Sequence, residues 1–124
     1  MSNEIQNPKN TKRKFDLIER TARFGENTIK FVKELPDTYV NRPLISQIVR
    51  SSTSIGANFM EADGAGSKKD FYHKIGICKK EAKETMHWLR MIAIANPTSE
   101  KECRILWREV RELTLIFSSI LLKK

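Results

Sequence analysis

The sequence predicts an all-α fold, an antiparallel up-down-up-down four-helix bundle. Apolar residues recur at helical spacing through four segments, and the breaks between these segments are short, as in bundles of that topology. Glycine (5) and proline (4) are scarce, which disfavours a fold with many turns. With 124 residues, of which 40% are apolar and 31% are charged, the chain has a globular composition. It is also long enough to bury a core without disulfides.

The first helix is predicted over residues 13–35, after a flexible basic arm at residues 1–12 that lacks apolar periodicity. Pro36 ends this helix because the residue before a proline avoids the helical conformation. The helix has two apolar faces. One contains Phe15, Ile18, Ala22, Gly25, Ile29 and Val32, and the other contains Leu17, Phe24, Phe31 and Leu35. One face serves the core, and the other needs a further partner, either a sister helix or another subunit.

Three further helices are predicted over residues 43–63, 68–95 and 100–122. Ser67 is the expected N-cap of the third helix, because its hydroxyl can accept a hydrogen bond from a free backbone N–H. Ser99 and Glu102 have the spacing of a capping box at the start of the fourth helix.

The surplus of apolar residues on the first and fourth helices predicts a homo-oligomer, since a large exposed apolar patch is uncommon on a monomer. The expected interface residues are Leu17, Phe24, Phe31, Leu35, Ile105 and Ile116. The alternative is that the first and fourth helices cover each other within one chain.

The charge balance predicts a polyanionic partner. Lys and Arg total 23 against 15 Asp and Glu, a formal net charge of +8, which favours nucleic acid or an acidic membrane surface. On the third helix a row of cations shares one side and can track a phosphate backbone, and an aromatic ring beside it can stack on a base. The predicted binding residues are Lys68, Lys69, Tyr72, Lys79, Lys80, Lys83 and Arg90, with Arg13 and Lys14. The alternative is an ordinary solvated face.

No catalytic site, metal site or cofactor is predicted. His73 and His87 lie about four helical turns apart and cannot bind one metal ion together. Cys78 and Cys103 lack metal-ligand spacing, and they fit reduced core thiols of a cytoplasmic protein. The longest apolar run, residues 113–122, is shorter than the roughly 20 residues that span a bilayer.

The second and third helices resemble a known family. The run from Gln47 to Ala62, QIVRSSTSIGANFMEA, is similar to the family's Q-I-x-R-x-x-x-S-I-x-x-N-x-x-E helix, and residues 67–71, Ile77 and residues 81–89 continue the similarity. This is the four-helix bundle protein family, also called the 23S rRNA-intervening sequence proteins, to which the accessory variability determinant of diversity-generating retroelements is related. The resemblance implies a homopentamer with a basic surface. In the retroelement relative it implies binding to nucleic acid and to a reverse transcriptase.

The predicted function is therefore a non-enzymatic, oligomeric scaffold that binds nucleic acid and serves a reverse transcriptase or an RNA-processing partner. The alternative is a protein-interaction module that uses the apolar faces of the first and fourth helices and has no role with nucleic acid.

Overall fold

The computed structural model describes the backbone of residues 8–124 and the side chains of residues 17–124. Four long helices make up this part of the chain: α1 (Pro8–Val32), α2 (Asn41–Asp63), α3 (Lys68–Ala95) and α4 (Glu100–Leu121). A single 3₁₀ turn, Pro97–Ser99, precedes α4. No strand occurs within residues 8–124, so the predicted all-α class is confirmed.

The helix boundaries differ from the predicted ones at several ends. Helix α1 ends at Val32 and not at residue 35, α2 begins at Asn41 and not at residue 43, and α4 ends at Leu121, one residue before the predicted end. Helix α1 begins at Pro8 and not at residue 13, so the second part of the predicted arm is helical, while residues 1–7 lie outside the described residues. Helix α3 has the predicted bounds, and the Asp70 backbone N–H donates to the Ser67 hydroxyl at 3.1 Å. The prediction of a capping box is wrong, because the Ser99 side chain makes no capping hydrogen bond. Its backbone N–H instead closes the 3₁₀ turn on the Asn96 carbonyl at 2.9 Å.

The four helices pack in a ring around one apolar core, with α2 against α1 and α3, and α4 against α3 and α1. The α2–α3 contacts pair residues early in one helix with residues late in the other. Asn41 contacts Asn96 through side-chain amides, the hydroxyls of Ser51 and Thr85 lie 2.8 Å apart, and Lys74 pairs with Glu61. Outer grooves lie between α1 and α2, between α3 and α4, and between α1 and α4.

Large apolar side chains from all four helices fill the core. The largest fully buried ones are Phe24, Ile48, Ile55, Ile75, Leu89, Ile92, Val110, Leu113 and Phe117. The rings of Phe59 and Phe117 meet across the core with 6.4 Å between their centroids. Burial of each such side chain stabilises the fold by about 1.5–3 kcal/mol, so this cluster dominates the stability of the chain.

Leu17, Phe24 and Leu35 were predicted to lie in an interface between subunits. This prediction is wrong, because their side chains lie in the core of a single chain. Phe24, for example, is only 1% exposed. This face of α1 also carries Thr28, which can be buried because its hydroxyl donates to the Phe24 carbonyl at 2.9 Å. Phe31 and Ile116 are half-buried against the core, whereas Ile105 is 56% exposed. The other face of α1 is divided, because Val32 is buried in the core whereas Ile29 is 38% exposed.

Candidate nucleic-acid interface

Helix α3 presents most of its predicted binding residues to solvent. The exposed side chains are Lys68, Lys69, Lys80, Lys83 and Arg90, and the half-buried ones are Tyr72 and Lys79. The Tyr72 ring rests edge-on against Phe71, with 5.2 Å between the ring centroids. The predictions for Arg13 and Lys14 lie outside the described side chains. The structure thus brings the α3 cations together along one outer side of the helix.

Two acidic residues of α3, Glu81 and Glu84, turn toward α2, whereas Asp70 is exposed in the first turn of the helix. Arg50 of α2 binds Glu81, with 3.0 Å between guanidinium nitrogen and carboxylate oxygen, and it also binds Glu84. The indole N–H of Trp88 donates to the same Glu84 carboxylate at 3.0 Å. Two carboxylates thus share one guanidinium, and this cluster keeps one net negative charge on the α2 side of α3, away from the exposed lysines.

Two of the acidic residues of α4, Glu109 and Glu112, are held on the side of the helix that faces α1. Arg20 donates two hydrogen bonds to the Glu109 carboxylate, at 2.7 and 2.9 Å, and a third to Glu112 at 2.7 Å. The hydrogen bonds that Arg20 donates to Glu109 are the main reason that its pKa lies above the ordinary value. The α1–α4 groove therefore holds two carboxylates on one guanidinium, and this cluster carries a net negative charge.

The α3–α4 groove has the opposite character, with a cationic rim over an apolar floor. Its rim is formed by Arg90 of α3 and by Arg104 and Arg108 of α4, and its volume is about 510 Å³. The floor contains Leu89, Ala93, Cys103 and Trp107. The carboxylate in the lining is Glu100, which pairs with Arg104 at 3.3 Å between nitrogen and oxygen.

The α4 arginines are binding candidates that the sequence reasoning missed. Arg104, Arg108 and Arg111 follow the i, i+4, i+7 spacing that puts side chains on one side of a helix, and all three are exposed. That spacing was visible in the sequence. What the sequence did not show is that Arg104 and Arg108 of α4 lie at the same groove as Arg90 of α3.

The comparison with known proteins agrees with this fold. The family profile described as 23S rRNA-intervening sequence protein matches residues 13–119. The chain belongs to this family. One solved relative of this intervening-sequence protein is a Bacteroides thetaiotaomicron protein, described as having unknown function and as a member of the S23 ribosomal protein family. It is 29% identical, and the alignment covers 87% of this chain and 96% of that chain with a TM-score of 0.80. No curated protein matches the sequence.

Over the described side chains, no cluster of three or more His, Cys, Asp or Glu residues has the arrangement of a metal site. Across residues 8–124, no helix has the length and apolar character needed to span a membrane. The histidines, His73 and His87, are exposed on α3.

A second outer feature of the intervening-sequence protein is an apolar groove between α1 and α2. It is lined by Ile18, Ala22, Gly25, Ile29, Ala57 and Met60, together with Thr21, Glu26, Thr53 and Gly56. Small residues allow the two helices to approach closely: a Cβ at Gly56 would lie 3.4 Å from the Thr21 hydroxyl oxygen. Met60 is 54% exposed at the edge of this groove, so the apolar surface continues outward from it.

Proposed function

We propose that this protein is a non-enzymatic scaffold that binds the phosphate backbone of nucleic acid through the α3–α4 groove and the lysine row beside it. One observation carries the proposal: the cations of α3 and α4 meet at a groove whose lining holds the single carboxylate of Glu100, while Glu81, Glu84, Glu109 and Glu112 are paired in other grooves. A row of unpaired cations releases condensed counterions from a phosphate backbone, which drives association with little dependence on base sequence.

The exposed cations are available for this role. Among the described contacts, Lys83, Arg90 and Arg108 form no ion pair, whereas Arg23 and Arg42 on other surfaces pair with Glu19 and Asp37. Guanidinium groups bind phosphate oxygens in a bidentate manner, so the three groove arginines suit this ligand better than lysines alone would.

A filter-binding titration of RNA and of DNA, each at two salt concentrations, tests the proposal. The variant Lys83→Gln/Arg90→Gln/Arg108→Gln removes three charges from the proposed surface. The control Arg23→Gln/Lys30→Gln/Lys33→Gln removes three charges from exposed positions near α1. We expect the first variant to bind more weakly and to lower the slope of log affinity against log salt by about one unit per lost phosphate contact. Equal effects of the two triples, or no binding at low salt, would refute the proposal.

The variant Glu100→Gln provides a test in the opposite direction. It removes the carboxylate of the groove and frees Arg104, so affinity for nucleic acid should rise. The control Glu81→Gln removes a carboxylate on the α2 side of α3, where Arg50 holds it. A gain from the control as large as that from Glu100→Gln would mean that net charge alone, and not this groove, governs binding.

We also propose that each subunit is an antiparallel up-down-up-down bundle and that the subunits assemble as a homopentamer, as the family resemblance implies. The pairing of early with late residues between α2 and α3 supports the antiparallel arrangement. The apolar α1–α2 groove, together with Ile105, supports self-association, because burial of this surface would remove apolar area from water. Assembly would repeat the basic groove and add avidity for a long polyanion.

Light scattering tests the assembly against a mass of 14.4 kDa for one chain. Met60→Glu should shift the protein toward the monomer, whereas Ser46→Glu, at an exposed polar position of α2, should not. A wild-type monomer would refute self-association. It would favour the second candidate function, a protein-interaction module whose α1–α2 groove binds a different protein.

The proposed setting is the cytoplasm, with a reverse transcriptase or an RNA-processing protein as partner. The two free cysteines fit a reducing compartment. Co-purification of the tagged protein from its own cells, with and without ribonuclease, distinguishes a partner bound directly from one bound through RNA. Recovery of neither class of protein would contradict the proposed setting.

A further inference from the structure

The two tryptophans of the chain have different surroundings. Trp88 lies on the α2 side of α3, its indole N–H donates to Glu84 at 3.0 Å, and its ring packs against His87 with 4.9 Å between centroids. Trp107 lies in the floor of the α3–α4 groove and is half-buried. Among the described contacts, its indole N–H donates no hydrogen bond, although an indole N–H in a packed environment usually has a partner.

The groove around Trp107 combines the two elements that proteins use for unpaired nucleotides. Stacking on an aromatic ring holds a base in place regardless of its identity, and a flanking row of cations binds the backbone. Here the ring lies among Leu89, Ala93 and Cys103, and the rim carries Arg90, Arg104 and Arg108. The volume of about 510 Å³ lies within the roughly 300–1,000 Å³ of small-ligand pockets, so a single base fits and a double helix does not.

We infer that the α3–α4 groove receives an unpaired base of a single-stranded nucleic acid against Trp107, while Arg90, Arg104 and Arg108 bind the adjacent phosphates. This inference rests on the proposed function and adds a substrate class to it. In a duplex both faces of every base are already stacked, so only the phosphates can reach the arginine rim. The site therefore distinguishes single strands from duplexes without reading sequence.

Tryptophan fluorescence and affinity together test the inference on the full chain. Trp88→Phe leaves Trp107 as the fluorophore, and Trp107→Phe leaves Trp88 as the matched control. The probes are an oligouridylate, the corresponding oligodeoxythymidylate, and duplexes of the same length, with polyglutamate as a polyanion that has no bases. We expect both single strands to quench Trp107 and to leave Trp88 unchanged. We expect Trp107→Leu to weaken single-strand binding by about five- to 150-fold, as loss of one stacked base does, with Trp88→Leu as control and circular dichroism as the check on folding.

The outcomes separate this inference from the proposed function. The inference is supported if quenching is confined to Trp107 and if single strands bind more tightly than duplexes. Trp107→Leu should then remove this preference for single strands. Equal affinity for single strands and duplexes, with no effect of Trp107→Leu, overturns the inference but leaves phosphate binding intact. Equal quenching by polyglutamate also overturns it, because the groove would then recognise charge alone. Absence of binding to every nucleic acid at low salt overturns the inference and the proposed function together.

Discussion

A buried pair of amides joins the start of α2 to the end of α3, and we expect its removal to destabilise the fold strongly. Nδ2 of Asn41 donates to Oδ1 of Asn96, and Nδ2 of Asn96 donates to Oδ1 of Asn41, both at 2.9 Å. The remaining N–H groups are also satisfied, by the Pro36 carbonyl at 2.9 Å and the Ile92 carbonyl at 3.0 Å. The pair thus ties the loop after α1 to both helices.

The magnitude follows from the groups that a substitution leaves unpaired. The two side chains are 2% and 7% exposed, so water has little access to them. Asn96→Ala leaves one carbonyl oxygen and one N–H of Asn41 without partners, and each such group costs about 1–3 kcal/mol. We therefore expect a loss of about 2–6 kcal/mol, a large part of the 5–15 kcal/mol that stabilises a typical domain. The double variant leaves neither amide behind, so it should lose less than the sum of the two single variants.

Urea denaturation, followed by circular dichroism, gives the coupling free energy between the two amides. It is measured on the wild type, Asn41→Ala, Asn96→Ala and the double variant. We expect about 1–3 kcal/mol of coupling, as for groups in direct contact. Asn58→Ala is the control, because this half-buried amide donates only to the Ser54 carbonyl of its own helix, at 2.9 Å. Single effects that add to within about 0.5 kcal/mol would show that the amides do not interact, and would refute the reasoning.

Three more predictions concern the core and α3. Gly76→Ala should raise the free energy of unfolding by about 0.5–1 kcal/mol, measured in urea, because the new Cβ meets no atom within 4 Å and alanine favours the helix. Phe117→Ala should lower it by about 3–5 kcal/mol, because this ring is fully buried against Phe59. Burial raises the pKa of the Cys78 thiol to about 12 and that of Cys103 to about 11, from 9.0 in the unfolded chain. The unfolded thiols therefore ionise first, so stability should fall as pH rises from 9 toward 12, and less in Cys78→Ala/Cys103→Ala.

The start of α3 was predictable because its signal is local. Ser67 caps α3 through the N–H of Asp70, three residues away, so the signal lies within one short segment. Ser99 shows that a local signal can also fail. Its serine-to-glutamate spacing fits a capping box, but Pro97 fixes a backbone that enters a 3₁₀ turn first, and the Ser99 hydroxyl makes no capping bond.

The assignment of the α1 faces could not be made from periodicity. Both faces are apolar and helically spaced, so a helical wheel ranks them equally. The choice depends on the partner helices. Gly25, on the face that runs through Ile29, lies against the α2 backbone near Ser52, where a Cβ would be 3.6 Å from the carbonyl oxygen, and Phe24 beside it is buried in the core. Such a contact between distant segments has no signature in the α1 sequence alone.

Only the α3 part of the proposed nucleic-acid surface could be predicted from the sequence, because the α4 part depends on contacts between helices. The lysine row and Arg90 belong to one helix, so their spacing alone placed them together. The arginines of α4 have equally regular spacing, but their relevance depends on which side of α4 meets α3. That is decided by the apolar stripe through Leu106, Val110 and Leu113, which faces the core and leaves Arg104 and Arg108 beside Arg90.

Because several carboxylates are paired in other parts of the bundle, the net charge of +8 is distributed unevenly over the surface. At physiological ionic strength exposed charges are screened beyond about 8 Å, and packed helices lie about 8–10 Å apart, so a ligand at one groove senses little of the far side of the bundle. A phosphate at the α3–α4 groove meets Arg90, Arg104 and Arg108 with one carboxylate nearby, whereas a phosphate at the α1–α4 groove meets Arg20 already bound by Glu109 and Glu112. Affinity should therefore depend on where a charge lies and not on how many charges the chain carries.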